Sequence, residues 1–338
     1  MKKRNTVRTW SSAFSGFYKP DSESAKDLDR VSKALFSARS VILVISFQAA
    51  LIASILSYKA GMFNPFYSMM LILGLTAVHA SSNLINDYFG YTRKLDSAES
   101  PRRHYTIHPL ASGAFSKREL ELLIAGLILF SALIGFAFVY IHGIVVLWFA
   151  IAGLLLLLLY DTTPITLKEV GLGEIAAFAV WGPLMIGGGY YALTGRISTD
   201  VFLISIPYGL GVMSILLGKH IDQMKFDVSK HQRTLPVVLG SDNARRLNTL
   251  LIIAMYALIP IFILINVVTI FALIVFLNAP KAWKALKVFS RPKPESPPKG
   301  YVGWPLWYHR FSLMNNKNFG WLYILGLLLG AVLSPFIL

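Results

Sequence analysis

Nine long stretches of this chain are almost free of charged residues. They cover residues 40–58, 65–87, 119–141, 143–160, 173–194, 201–218, 247–264, 265–280 and 319–338. A helix needs about 20 mainly apolar residues to cross the hydrocarbon core of a bilayer. Only 14% of all residues are charged, which is too few to cover the surface of an ordinary soluble domain. The sequence therefore predicts an all-α polytopic membrane protein with nine transmembrane helices.

The continuous apolar stretch at 250–277 allows two interpretations. A single tilted helix could cross the membrane there, but two short helices divided near Asn266 keep the later topology consistent. Residues 290–310 contain five prolines, which indicate an ordered or semi-rigid loop. We accordingly divide the chain into a polar N-terminal segment, 1–39, without the features of a cleavable signal peptide, and a membrane domain, 40–338.

The positive charges predict the orientation. All but two of the 32 Lys and Arg residues lie in the N-terminal segment or in four long connections, and the exceptions are Lys59 and Arg196. These connections are 88–118, 161–172, 219–246 and 281–318. Because positively charged loops stay in the cytoplasm during insertion, the N-terminus and these connections are predicted to be cytoplasmic, with the C-terminus on the opposite side. Topology and anionic lipid headgroups then account for the net charge of +15, and nucleic acid is not needed.

Two polar clusters stand out against the apolar background. The first lies at 83–96, at the cytoplasmic end of the second helix, where Asn83, Asn86 and Asp87 are spaced to share one helical face. The second lies at 218–234, at the cytoplasmic end of the sixth helix, and contains Asp222 and Asp227. Both clusters interleave acidic or amide side chains with Lys and Arg.

This combination of residues suits a diphosphate bridged by Mg²⁺. Carboxylate and amide oxygens are hard ligands that Mg²⁺ prefers, and Lys and Arg bind phosphate oxygens. Alternatively, the two clusters could be solvated helix ends with ordinary interfacial charges. This interpretation is less favoured because both clusters lie on the same side of the membrane. The absence of cysteine excludes thiol catalysis and disulfides.

At these clusters the chain resembles the UbiA superfamily of intramembrane prenyltransferases, from about residue 35 to residue 338. Family members have nine transmembrane helices and Asp-rich motifs at the cytoplasmic ends of the second and sixth. HPLASG at 108–113 and Tyr160 also resemble family features. GLGE at 171–174 and RTLPVVLG at 233–240 look like the naphthoate-prenylating, menaquinone-pathway branch.

The first motif departs from the family pattern N-D-x-x-D. Asn86 and Asp87 match its opening pair and Asp96 its distal carboxylate, but Gly90 stands where an Asp is expected. Asp87 could take over the missing ligand role with a local rearrangement. In the second motif, the chosen aspartates are five residues apart, where four is commoner.

The resemblance implies an enzyme that transfers a prenyl group from a polyprenyl diphosphate to a small lipophilic or aromatic acceptor within the bilayer, with no obligate protein partner. It implies Mg²⁺ bound by Asn86, Asp87, Asp96, Asp222 and Asp227. Three of these residues are expected to be essential for catalysis: Asp87, Asp222 and Asp227. The expected diphosphate-binding residues are Asn83, Lys94, Arg102, Tyr160, Lys219, Lys230 and Arg233. Each basic residue could instead be a topological anchor, and Asn83 could instead be a packing amide.

Several further polar residues have structural alternatives. His220 is the best histidine for deprotonating a phenolic acceptor, whereas His79 is expected to be hydrogen-bonded in helix packing. Glu174 is expected to favour a helix N-terminus, and Asp161 to cap a turn.

Two other functions stay open. A secondary transporter would place ionisable groups near the midplane, unlike the acids here. A lipid-binding relative without catalysis is motivated by Gly90.

Overall fold

The computed structural model describes residues 6–15, 25–162 and 166–337, with side chains as far as residue 333 except that of Asp161. Every regular element in this part of the chain is helical. The side chain of Asp161 and most of the turn that follows it lie outside the described residues, so the capping prediction stays a prediction.

In the described part of the chain after residue 39, nine helices are longer than ten residues. They are α1 (Ser40–Lys59), α2 (Pro65–Thr92), α3 (Lys117–His142), α4 (Ile144–Asp161), α5 (Gly173–Thr194), α6 (Thr199–Ser229), α7 (Ser241–Leu264), α8 (Ala279–Phe289) and α9 (Tyr308–Ile337). Within the described residues, seven are long and apolar enough to span a membrane, and α4 is a shorter apolar helix. The predicted all-helical membrane fold is therefore confirmed, while the count of nine spans is not. Two short helices, Thr6–Ser15 and Arg30–Ser37, precede α1.

The predicted division near Asn266 is confirmed. Helix α7 ends at Leu264, and Asn266 has a φ of +60°, which turns the chain. The predicted membrane helix over 265–280 is wrong, because a 3₁₀ helix at Ile270–Asn278 comes first and α8 begins only after it. This segment packs closely on α9, where a Cβ atom at Gly326 would lie 2.8 Å from the carbonyl oxygen of Phe271.

A buried polar network fixes the end of the 3₁₀ helix. The Asn278 side-chain amide donates hydrogen bonds to the Tyr256 hydroxyl (2.9 Å) and to Asn315 Oδ1 (3.0 Å). Tyr256 lies on α7 and Asn315 on α9. Because an unpaired amide is costly in an apolar interior, these partners define where the segment docks.

Local signals at the helix ends agree with the structure. Asn64 Oδ1 accepts hydrogen bonds from the backbone N–H groups of Phe66 (2.9 Å) and Tyr67 (3.1 Å), so it caps α2. Ser116 and Glu119 form a reciprocal capping box at the start of α3.

Helix α6 lies at the centre of the bundle and contacts α5, α7 and α9, while α2 packs between α1 and α3. The outer face of α3 carries large apolar side chains with no protein covering. Leu129, Leu133 and Phe136 are each more than 60% exposed. Such a face is compatible with lipid and not with water, which supports an integral membrane protein.

Candidate active site

A large cavity lies between the helices. It has a volume of about 840 Å³, and its walls come mainly from α1 to α6 and from α9. One face of α2 lines it, because the lining residues recur every three or four positions: Leu71, Gly74, Leu75, Val78, His79, Ser82, Asn83 and Asn86. The lining is apolar at the Leu71 end and polar toward Asn86.

A smaller polar pocket of about 50 Å³ adjoins this cavity. Carboxylate and amide side chains line it, namely Asn86, Asp96, Gln223, Asp227, Glu169 and Gln232. Basic side chains line it as well, namely Arg93, Arg102, Lys168 and Lys219. Asn86, Tyr105 and Lys219 line both the polar pocket and the apolar cavity, so the two spaces meet at these residues.

Asp87 is fully buried and paired with two arginines. One carboxylate oxygen accepts from Arg102 Nε (2.7 Å) and from the Arg39 guanidinium, and the other accepts from Arg102 Nη2. Arg39 also donates to Asn86 Oδ1 at 3.2 Å. Asp87 is predicted from the sequence to bind the metal; in the structure both of its carboxylate oxygens accept hydrogen bonds from guanidinium groups.

Gly90 makes room for Asp96. A Cβ atom at position 90 would overlap Asp96 Oδ2 and lie 2.9 Å from Asp96 Cγ. The same oxygen is 3.1 Å from His108 Nε2, and Ser100 Oγ donates to the other carboxylate oxygen at 3.2 Å. Donor atoms of Asp87, Asp96 and His108 all lie within 4.8 Å of one another. The glycine that departs from the family pattern therefore lets a carboxylate from the next loop reach this position.

The charge state of Asp96 follows from these neighbours. Burial by itself raises the pKa of the Asp96 carboxyl, but the hydrogen bond from His108 and the charge of Arg102 hold that pKa below its usual value. Asp96 is therefore an anion at neutral pH and can serve as an oxygen ligand.

We expect Gly90→Ala to displace the Asp96 carboxylate and to lower activity by about 10-fold or more, a loss typical of disturbed ligand orientation. Initial rates of diphosphate release measure the effect. Gly126→Ala is the matched control, because Gly126 also lies inside a helix but a Cβ atom there meets no neighbour within 4 Å. Equal activity of the two variants would contradict the role given to Gly90.

The second motif presents a different pair of residues from the one chosen. Asp227 is buried, lines the polar pocket and accepts a hydrogen bond from Thr234 Oγ1 at 3.0 Å. Gln223, one turn earlier on the same face of α6, lines the pocket beside it. The structure does not bring Asp222 to this pocket. Its carboxylate accepts from the backbone N–H of His309 (3.0 Å) and lies 3.2 Å from Lys293 Nζ.

The residues predicted to bind diphosphate divide into three groups. Arg102 and Lys219 line the polar pocket, whereas Tyr160 and Asn83 line the apolar cavity. Asn83 donates to the Ala38 carbonyl at 2.9 Å, which is the packing role considered for it. Three others line neither space: Lys94 and Arg233 lie exposed at the surface, and Lys230 is partly buried.

Sequence reasoning missed Arg39 and Tyr105. Arg39 lies in the N-terminal segment, and Tyr105 lies between the first motif and the HPLASG segment without belonging to either. Tyr105 lines both spaces at their junction. Burial by itself raises the pKa of the Tyr105 phenol, yet the positive charges of Arg39 and Lys219 hold it below its usual value. Gln223 was also missed, although its spacing of four from Asp227 is a readable signal.

The histidine chosen as a possible base lies elsewhere. His220 is fully buried, and its Nδ1 lies 2.8 Å from Glu174 Oε1. Glu174 occupies the first turn of α5, as predicted. Neither residue lines the cavity or the polar pocket, so the pair joins α5 to α6 rather than facing a substrate.

Solved structures share this fold. A digeranylgeranylglyceryl phosphate synthase superposes with a TM-score of 0.60 at 18% identity, covering 90% of this chain and 99% of that one. A UbiA homologue from Archaeoglobus fulgidus, bound to GPP and Mg²⁺, superposes with a TM-score of 0.60 at 14% identity, covering 87% and 98%.

Sequence relatives extend over most of the chain. A 1,4-dihydroxy-2-naphthoate octaprenyltransferase from Bacillus subtilis is 25% identical and covers 92% of this chain and 97% of its own length. The enzyme of the same name from Escherichia coli is 22% identical, covering 79% and 87%. Residues 46–312 match the UbiA prenyltransferase family. Since this match spans well over half of the chain, the protein belongs to the UbiA prenyltransferase family.

Proposed function

We propose that this prenyltransferase uses Mg²⁺ to transfer a prenyl group from a polyprenyl diphosphate to an aromatic acceptor, releasing diphosphate. The supporting observation is the junction at Asn86, Tyr105 and Lys219, where a charged pocket opens into a large apolar cavity. A polyprenyl diphosphate has the same two parts, a charged head and an apolar tail. The relatives named as naphthoate octaprenyltransferases support an aromatic acceptor.

The residues of the polar pocket fit Mg²⁺. Asn86, Asp96, Gln223 and Asp227 supply oxygen atoms to one small space, and hard oxygen ligands are those that Mg²⁺ prefers. Gly90 leaves room for the Asp96 carboxylate to enter it. When bound, Mg²⁺ would neutralise the diphosphate and make it a better leaving group. Compared with the ligands predicted from the sequence, this set omits Asp87 and Asp222 and adds Gln223.

The protein's own cations act on the same leaving group. Lys219, Lys168 and Arg93 line the pocket and can stabilise the negative charge that grows as the allylic C–O bond breaks. The bonding electron pair leaves with the diphosphate. Aromatic side chains of the cavity, including Trp181, can face the allylic cation.

A ring carbon of the acceptor then attacks that cation. The ring regains aromaticity by losing H⁺ or CO₂ from the same carbon. Exclusion of water by the apolar walls protects the cation from hydrolysis.

Gly90 motivated the alternative of a relative without catalysis. Glycine at position 90 leaves room for the Asp96 carboxylate, so the departure from the family pattern brings a carboxylate into the site instead of deleting one. Gly90 therefore no longer argues against catalysis. The membrane-transport alternative gains no support, since the acidic side chains gather at one end of the bundle in a pocket suited to a diphosphate.

Metal removal tests the proposed reaction. Purified protein in nanodiscs should release diphosphate from a labelled polyprenyl diphosphate only with Mg²⁺ and an aromatic acceptor. EDTA should abolish release, and added Mg²⁺ should restore it. The acceptor panel should include hydroxynaphthoates, hydroxybenzoates and a glycerol phosphate ether lipid. Absence of release with every acceptor, or full activity in EDTA, would count against the proposal.

We also propose that the site and the N-terminus face the cytoplasm, which the distribution of Lys and Arg supports. The chain has no cysteine, so single-cysteine variants report orientation cleanly. Ile197 and Ala98 are both exposed, but the predicted topology places Ile197 outside the cell and Ala98 in the cytoplasm. In intact cells, a membrane-impermeant maleimide should therefore label Ile197→Cys and not Ala98→Cys. The reverse labelling pattern would overturn the orientation.

A further inference from the structure

A polar relay lies inside the membrane-spanning part of the bundle, away from the diphosphate pocket. It consists of Ser46 on α1, His79 on α2 and Trp181 on α5. Trp181 Nε1 donates to Ser46 Oγ at 2.9 Å, and Ser46 Oγ lies 2.8 Å from His79 Nδ1. The two rings meet edge to face, with centroids 4.9 Å apart. Polar side chains at this depth are costly and usually functional.

The relay has a direction, which follows from its chemistry. An indole N–H can only donate, so Ser46 Oγ accepts from Trp181. Ser46 then has its own proton to donate, and His79 Nδ1 is the acceptor that lies within reach. A neutral imidazole that accepts at Nδ1 carries its proton at Nε2. This hydrogen-bond arrangement therefore favours the His79 tautomer that carries its N–H donor at Nε2.

That donor is available to a ligand. His79 and Trp181 both line the 840 Å³ cavity. Among the described residues, no group forms a hydrogen bond with Nε2 of His79. This nitrogen is also not one of the fully buried polar atoms that lack a partner, so it is accessible from the cavity. Trp181 is held by a π-helical segment, Val180–Gly187, an irregularity common at functional sites.

The position along α2 suits an acceptor rather than the diphosphate. His79 precedes Asn86 by seven residues, which corresponds to a rise of about 10 Å along a helix. A group bound at His79 is therefore well separated from the polar pocket but remains next to the apolar path of the prenyl chain. This spacing leaves room for an aromatic ring system between the allylic carbon and His79.

We propose that His79 binds the aromatic acceptor by donating a hydrogen bond from Nε2 to an oxygen on its ring, such as a phenolate, carbonyl or carboxylate oxygen. His79 is thus a positioning residue that orients the ring carbon toward the allylic carbon. Ser46 and Trp181 hold the imidazole in the donating tautomer. The inference rests on the proposed prenyl transfer and adds the acceptor site to it.

Paired substrates test the inference. The wild-type protein should prefer an oxygen-bearing acceptor over its deoxy analogue by about 10- to 100-fold in kcat/KM, the usual effect of a hydrogen bond to a charged group. His79→Phe should lose most of this preference while leaving the KM for the prenyl diphosphate unchanged. His79→Gln, which keeps an N–H donor, should retain part of it. His104→Ala, at an exposed position of the short helix Arg102–Tyr105, is the control and should behave as wild type.

Two outcomes would overturn the assignment of His79. One is an unchanged preference in His79→Phe, and the other is a shift in the KM for the prenyl diphosphate alone. If His79→Phe fails to fold, Ser46→Ala provides the test, because it frees the tautomer and should weaken the preference by a smaller factor. Failure of the wild-type protein to turn over any aromatic acceptor would instead refute the proposed function.

Discussion

Asp227→Asn should lower Mg²⁺-dependent diphosphate release by at least about 100-fold, since even outer-shell partners of a metal site commonly contribute about 10- to 100-fold. The substitution removes a negative charge from the polar pocket but keeps an oxygen that can accept from Thr234 Oγ1. We therefore expect the fold to persist. Steady-state rates across Mg²⁺ concentrations, together with the unfolding temperature in detergent, measure both effects.

Asp222→Asn is the matched comparison on the same helix. Asp222 lies against Lys293 and the His309 backbone instead of the pocket. Its substitution should lower the unfolding temperature, while the folded fraction keeps an activity within a few-fold of wild type. Loss of turnover in a stably folded Asp222→Asn protein would restore Asp222 to the active site and contradict the proposed ligand set.

Asp87→Asn should reduce the free energy of unfolding by about 3–5 kcal/mol, the usual cost of leaving a buried charge without its partner. Asp87 is completely buried between Arg39 and Arg102, so the substitution leaves two guanidinium groups facing a neutral amide. Thermal unfolding in detergent measures the loss. If Asp87 were a metal ligand instead, the variant would be stable and inactive.

Asp242→Asn is the control, because it also removes an aspartate–arginine ion pair but an exposed one. Asp242 pairs with Arg245 at 2.6 Å, but its side chain is 78% exposed, and exposed pairs contribute less than about 1 kcal/mol. Equal stability of Asp87→Asn and Asp242→Asn would show that the buried cluster has no special structural role.

The helical fold could largely be predicted from the sequence, because the bilayer requires long apolar segments. The prediction failed at 265–280, where hydropathy cannot distinguish an α-helix from a 3₁₀ helix. The difference there comes from contacts between distant segments, such as the close approach of Phe271 to Gly326.

The sequence predicts a site at the two helix ends that line the polar pocket, but the metal ligands proposed from the structure differ from those predicted from the sequence. Neighbouring residues on a helix point about 100° apart, so choosing Asp222 over Gln223 moves the predicted ligand to another face of α6. Charge alone favoured the aspartate, whereas the spacing of four from Asp227 favoured the glutamine. Arg39 lies in the N-terminal segment and Tyr105 in the loop that follows the first motif, and only the tertiary structure shows that both line the cavity.

The network around Asn278 has a consequence for how the chain assembles. The 3₁₀ segment carries an amide whose partners are Tyr256 on the preceding helix and Asn315 on the last one. Before α9 enters the membrane, Tyr256 is the only one of these two partners already synthesised. The segment at Ile270–Asn278 therefore reaches its final position only after the C-terminal helix has been made. Truncating α9 would thus affect two elements, because the 3₁₀ segment would lose its docking partner as well.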